Sequence, residues 1–300
     1  MPGVIAFGSA VTRPDVFERC AEPGLRLARE ADSETYAFES TGSIFSGYNR
    51  VLEAAAERDD LEALVLLHQD TEIVGEGFCD VVRRTMSQED VGLAGCVGAI
   101  GVRSIAWWEG SITLASFLHR FPEHGGGDVK AFSWTWREAP PYARLGDVDT
   151  LDGFLLVLSP WVVRNVRFDE SLGALHGYDL DYCLQVREAG KRVVTADFRA
   201  IHHHSLDAFS NPQDWIDAHV LVHEKWEGRM PGFGSTEQAG TPRERALRAE
   251  AERDVARARG HAGRMKAQAQ VTEAERALAI TTESLSWRMT APLRALKRRS

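Results

Sequence analysis

The feature that most constrains this chain is an alternation of short apolar runs with segments of helical periodicity over its first two-thirds. Val4–Phe7 is an apolar run ending at Gly8-Ser9, and Tyr36–Phe38 is a second strand candidate. Ser43–Glu57 places Ile44, Phe45, Tyr48, Val51, Leu52 and Ala55 at helical spacing. Leu61–Leu67 is apolar enough for a central strand, Gly77–Met86 predicts a helix, and Val91–Val97 a further strand. Later come a strand at Leu151–Leu158, a helix at Tyr178–Ala189, a strand at Arg192–Ala196 and a helix at Pro212–Trp226. Strands that alternate with helices fold as an α/β sheet with parallel strands. In such open sheets ligands bind beyond the carboxyl ends of the strands, and His68-Gln69-Asp70 sits at the end of Leu61–Leu67.

Two regions depart from the alternation. Residues 101–150 are rich in Gly and Trp, including Trp107, Trp108, Trp134, Trp136 and Gly125-Gly126-Gly127, and predict short strands with a mobile loop. Residues 228–242 carry four glycines and two prolines and divide a body, 1–227, from an extension, 243–300. Arg243–Leu285 has few helix breakers and predicts a long helix. Val271, Ala274, Leu278 and Leu285 lie on one thin heptad stripe that suits either a homodimeric coiled coil or packing on the body.

Charge separates the same two parts. The chain carries a net −9 over 300 residues. Residues 241–300 hold 14 Lys and Arg against 7 Asp and Glu, which leaves 21 against 37 for residues 1–240. So acidic a body excludes nucleic-acid binding, which needs clustered Lys and Arg on phosphates. Ser284–Ser300 is basic, with Arg288, Arg294, Lys297, Arg298 and Arg299, and sets Leu285, Met289, Leu293 and Leu296 on one helical face. Such a segment can lie on an anionic membrane surface or dock on the acidic body. Cys20, Cys79, Cys96 and Cys183 form no C-x-x-C pair, which argues against a zinc knuckle and fits a reducing compartment. Met1–Phe7 lacks a basic region and a long apolar stretch, and no apolar run approaches about 18 residues, so neither a signal peptide nor a membrane span is expected. A cytoplasmic protein, at most at the inner face of the cell membrane, is the expectation.

Three clusters carry chemistry. Asp70 can ligate a hard cation, with a capping role in a polar turn as the alternative. Asp179-Leu180-Asp181 offers two carboxylates that do not share a helix face, so one can enter a cleft as a general base. Alternatively, both serve the helix dipole. His202-His203-His204 alternates direction on an extended segment, so one or two imidazoles can reach a site. Asp152, beside Gly153, is a fourth candidate.

Taken in order, Ser43–Asn49, His68–Asp70, Leu151–Phe154, Phe168–Glu170, Gly177–Leu184, Glu188-Ala189-Gly190 and His203-His204-Ser205 resemble the family-2 glycosyltransferases, in the branch with H-Q-D in place of D-x-D. The tail around Ser284–Arg294 resembles those of bacterial cell-surface polysaccharide enzymes. The resemblance implies a GT-A fold, mixed and mostly parallel, and inverting transfer from a nucleotide-diphosphate sugar to a hydroxyl of a glycan or lipid-linked acceptor. It implies Mn²⁺ or Mg²⁺ held by Asp70 with His203 or His204, and Asp179 as catalytic base. Ser9, Glu39, Asn49, Asp70 and Asp152 fall on the donor side. Tyr178 and Asp181 fall on the acceptor side, as do Trp107 and Trp108 where their rings stack on a sugar or a lipid carrier, with core or lid packing as their alternative. The sequence departs from the family where His68 replaces an acid, Tyr178 replaces a Glu and Gln185 replaces an Arg. Two rival readings remain: a non-catalytic nucleotide- or glycan-binding module, and a non-haem Fe(II) oxygenase using His68, Asp70 and His203, which would be a jelly roll.

Overall fold

The structure, a computed structural model, describes residues 3–39, 42–102, 104–107, 111–114, 117–120, 128–130, 146–203, 211–229, 260, 263–264 and 267–283. The chain opens with β1 (Val4–Val11), α1 (Pro14–Val16), a π-helical turn at Phe17–Ala21, α2 (Glu22–Ala28), β2 (Thr35–Glu39) and α3 (Ile44–Ala56). It continues through β3 (Leu61–Leu67), β4 (Thr71–Ile73), α4 (Phe78–Met86), β5 (Val91–Gly95) and β6 (Val97–Ile100). Next come β7 (Ser111–Leu114), β8 (Phe117–Arg120), β9 (Asp128–Lys130), β10 (Thr150–Leu151), β11 (Leu155–Leu158) and α5 (Pro160–Asn165). α6 (Tyr178–Glu188), β12 (Arg192–Thr195), β13 (Ala200–His202) and α7 (Pro212–Trp226) complete the body.

Six strands form the central sheet in the order β12-β5-β11-β3-β1-β2. Every neighbouring pair is parallel except the two made by β11, which runs antiparallel to β3 and β5. A strand paired on both sides and covered on both faces is apolar throughout, and β11 and all but one residue of β3 are buried. Helices cover both faces. On one, α3 sets Phe45, Tyr48, Val51, Leu52 and Ala55 into the core together with Val162 of α5 and Tyr182 of α6. On the other, α2 and α4 bring Leu25, Phe78 and Val82 against Phe7, Val65 and Val157. Ser43 caps α3, accepting from Ser46 N at 3.5 Å.

The expected strands at 91–97 and 151–158 are each two strands. β5 and β11 belong to the central sheet, whereas β6 pairs with β10 on one side and β7 on the other in a separate three-stranded sheet. The chain leaves the central sheet at Cys96 and returns at Asp152–Phe154, where Asp152 N donates to Val97 O at 2.9 Å. An apolar run does not reveal where it changes partners, because both halves are equally buried. The short strands β4 and β13 carry no periodicity of their own. They pair antiparallel, with His202 opposite Thr71, in a further sheet with β8 and β9 at the edge of the body.

Among the described residues no helix is long and apolar enough to cross a membrane. Residues 267–283 are helical and mostly exposed, with Val271, Leu278 and Ile280 facing solvent. Trp108, Trp134, Trp136, the glycines at 125–127, His204, most of 228–242, residues 243–259 and the basic segment 284–300 lie outside the described residues.

Candidate functional site

Two turns at the carboxyl edge of the central sheet carry the polar groups. The first joins β3 to β4 and consists of His68-Gln69-Asp70. Its backbone is pinned on both sides, with His68 N donating to Phe154 O at 2.9 Å and His203 N donating to Asp70 O at 2.8 Å. The second is the loop from β10 to β11, where Asp152 and Gly153 face the first turn of α6. Gly177 precedes that helix with φ +77°, a left-handed conformation that favours glycine.

The β4–β13 register determines which histidine enters the site. His202 pairs with Thr71 and turns its Nε2 to within 3.5 Å of Asp70 Oδ1. Its ring stacks on Phe154 with centroids 4.7 Å apart and meets the His68 ring edge-on at 5.7 Å. His68 Nδ1 lies 3.8 Å from the same carboxylate oxygen. One ligand atom each from His68, Asp70 and His202 lie within 4.8 Å of one another. His203, one residue along an extended segment, points the opposite way and bonds Glu72 at 2.9 Å. The structure therefore gathers Asp70 with His68 and His202, and sets His203 apart on Glu72. His204 lies outside the described residues.

The donor set fits a divalent cation. Burial, helped by His202 and opposed by the Asp70 carboxylate, brings the His68 pKa down to about 4, so at neutral pH its imidazole is uncharged, as a ligand must be. His202 moves the other way. Burial pulls it down, but the Asp70 carboxylate, by charge and hydrogen bond, and Asp152 outweigh that and raise it. Two imidazoles and one carboxylate suit Mn²⁺ or a later transition ion better than the all-oxygen shell Mg²⁺ prefers.

Asp179 stands at the second turn, where its carboxylate accepts from Gly153 N at 3.2 Å and from Leu180 N at 2.9 Å. Burial and then the like charge of Asp152 raise its pKa to about 7. Asp152 is itself raised by burial and by Asp70, with His202 working against them. Asp152 thus couples electrostatically to both Asp179 and His202. A second link is direct: Tyr178, the residue before Asp179, lies 2.6 Å through its hydroxyl from His68 Nε2.

The remaining candidates take other positions. Asp181 is buried under α7, where it meets Lys225 Nζ, Trp226 Nε1 and Gln185 Nε2, each at 2.7 Å. Asn49 uses both ends of its amide on the Phe168 backbone at 2.9 Å and also donates to Glu170 at 2.9 Å. Ser9 is buried in β1 and its hydroxyl has no hydrogen-bond partner among the described residues. Glu39 is an exposed residue ending β2, and its backbone oxygen accepts from Arg50 at 3.0 Å. Trp107 is buried in the core with Phe154, and Trp108 is outside the described residues. Sequence reasoning did not single out Gln69. Its side-chain oxygen accepts from Thr12 N and Arg13 N at 2.9 and 2.8 Å, and its amide donates to Thr12 Oγ1 at 2.9 Å, tying the cation turn to the loop after β1. No local signal separates such a Gln from any exposed one.

Residues 6–217 match the model of a family described as glycosyltransferase-like. The chain belongs to that family. Its mostly parallel sheet, flanked by helices on both faces, is the GT-A architecture of this family. The streptomycin biosynthesis protein StrF of Streptomyces griseus is similar, at 26% identity over 231 residues covering 76% of each chain. Among solved structures, the mannosyltransferase PcManGT of Pyrobaculum calidifontis, in complex with GDP-Man and Mn²⁺, is 14% identical, with a TM-score of 0.47 over 98% of this chain and 84% of that one. GalNAc-T7, solved with UDP, GalNAc and Mn²⁺, is 8% identical, with a TM-score of 0.47 over 83% of this chain and 54% of that one. The jelly roll required of an Fe(II) oxygenase is not this fold, although two histidines and one carboxylate would by themselves be compatible with one.

Proposed function

We propose that this family member is an inverting glycosyltransferase, moving a sugar from a nucleoside-diphosphate donor to a hydroxyl of a glycan or lipid-linked acceptor. The observation that carries the reading is a juxtaposition. A His-Asp-His cluster suited to a cation and a carboxylate titrating near neutrality share one edge of the sheet, bridged by Tyr178. Asp70, His68 and His202 would hold Mn²⁺ or Mg²⁺, which when bound neutralises charge on the donor diphosphate. Asp179 takes the proton from the attacking hydroxyl. A base needs a pKa near the working pH, since a fully acidic carboxyl is a poor acceptor, and about 7 meets that requirement. Gly153 N and Leu180 N aim the carboxylate, and Asp152 keeps its affinity for the proton high. With base and leaving group on opposite sides of the anomeric carbon, a single displacement inverts its configuration.

The domain reading assigns catalysis to 1–227 and leaves 243–300 as an extension for docking, on an anionic membrane surface through 284–300 or on a second copy through the 243–285 helix. The test is a screen of UDP, GDP, dTDP and CMP with Mn²⁺ by thermal shift, since a ligand of the folded state raises Tm. Turnover of the matching nucleotide sugars with acceptor extract follows. Binding without turnover by the wild type would make the chain a non-catalytic module.

A further inference from the structure

The geometry points to Tyr178 as the positioning residue that makes His68 a cation ligand through Nδ1. This rests on the reading of His68, Asp70 and His202 as a cation site. An imidazole that ligates through one nitrogen carries its proton on the other, and a hydrogen-bond acceptor there fixes both tautomer and ring angle. His68 Nε2 has such a partner in Tyr178 Oη at 2.6 Å, while Nδ1 faces Asp70 Oδ1 at 3.8 Å, beyond hydrogen-bond range but consistent with an ion between them. With Nε2–H donating to Tyr178, the Nδ1 lone pair is directed at the cluster.

The rest of the surroundings hold Tyr178 in that pose. Its ring is 5% exposed and contacts Phe45 and Tyr48 edge-on, both with centroids 6.0 Å away, and Phe168 at 6.1 Å. Its hydroxyl lies over Gly153, where a Cβ would come within 2.0 Å of the oxygen. Glycine at 153 is therefore a condition of the His68–Tyr178 bond, and the same residue's N–H holds Asp179. The imidazole at 68 is matched by an orienting hydroxyl at 178 and by the absence of a side chain at 153. Because Tyr178 opens the helix that carries Asp179, the same contact ties the base to the cation site.

The experiment is Mn²⁺ binding by the full chain, by calorimetry and by pulsed EPR on protein labelled with ¹⁵N-histidine, for wild type, Tyr178→Phe and Asp70→Asn. Tyr178→Phe keeps the ring and removes the hydroxyl. Its Mn²⁺ Kd should rise about 10- to 100-fold, with the metal-free Tm little changed, and the histidine nitrogens coupled to Mn²⁺ should fall from two to one. Gly153→Ala, which displaces the hydroxyl while leaving Tyr178 in place, should weaken Mn²⁺ in the same direction and serves if the first variant folds poorly. Wild-type affinity and both nitrogen couplings in Tyr178→Phe would overturn the positioning role, with the cation site still standing if Asp70→Asn abolishes binding. No Mn²⁺ binding by the wild type would overturn the site and this role together.

Discussion

The turn at 68–70 and the helix start at 179–181 each present two polar residues two positions apart, and the structure treats them oppositely. His68 and Asp70 converge, because the turn that Thr71 N closes on His68 O at 3.1 Å brings their side chains to one side. Gln69 between them points away, to the loop after β1. Asp179 and Asp181 diverge, because two steps along a helix rotate a side chain by more than half a turn. Asp179 turns to Gly153 N in the β10–β11 loop, and Asp181 goes under α7 to Lys225 and Trp226. Backbone geometry makes the first pair a site and divides the second into a base and an anchor.

The largest expected break of that contrast is Asp179→Asn, which should lower kcat about 10²- to 10⁴-fold, measured by donor turnover. It should not lower stability. Burial and Asp152 raise the folded-state pKa of Asp179 above its ordinary value, so the stability this group contributes is fully present below the ordinary carboxylate pKa and is lost as pH rises toward about 7. Removing the charge should therefore raise Tm at pH 8 and change it little at pH 4. A lower Tm at pH 8 would count against Asp179 being held near neutrality.

Asp181→Ala is the converse. It leaves Trp226 Nε1 without its Asp181 acceptor and Lys225 with Asp169 alone, at 2.7 Å. A loss of about 1–3 kcal/mol in denaturant unfolding is expected, with little change in Mn²⁺ affinity. Asp152→Asn sharpens the comparison rather than breaking it. Without that like charge, the ascending limb of the kcat–pH profile, expected near pH 7, should move to lower pH. The smallest effect belongs to Gln69→Ala, whose exposed hydrogen bonds are worth about 1 kcal/mol together. Its signature is a modest fall in Tm rather than loss of cation binding.

Much of the site was legible in order but not in partnership. The apolar run at 61–67 located the strand whose end carries Asp70, and Asp179 stood out by its place at the start of a helix. The histidine that faces Asp70 did not, since three in a row alternate in direction and only the β4–β13 register selects His202 over His203. Asn49 and Asp181 were candidates by their position along the chain. Their polar atoms are taken up by Phe168 and Glu170 in one case and by Lys225 and Trp226 in the other, partners 44 to 121 residues away in sequence.

Local pattern by itself determined the alternating α/β character, the buried central strands and the acidic body with its basic extension, because periodicity, burial and charge are properties of short windows. Tertiary structure decided where the runs at 91–97 and 151–158 change sheets, which imidazoles meet Asp70, that Tyr178 bonds His68, and that Asp179 titrates near neutrality. Each depends on the pairing of distant segments and on the burial that pairing creates.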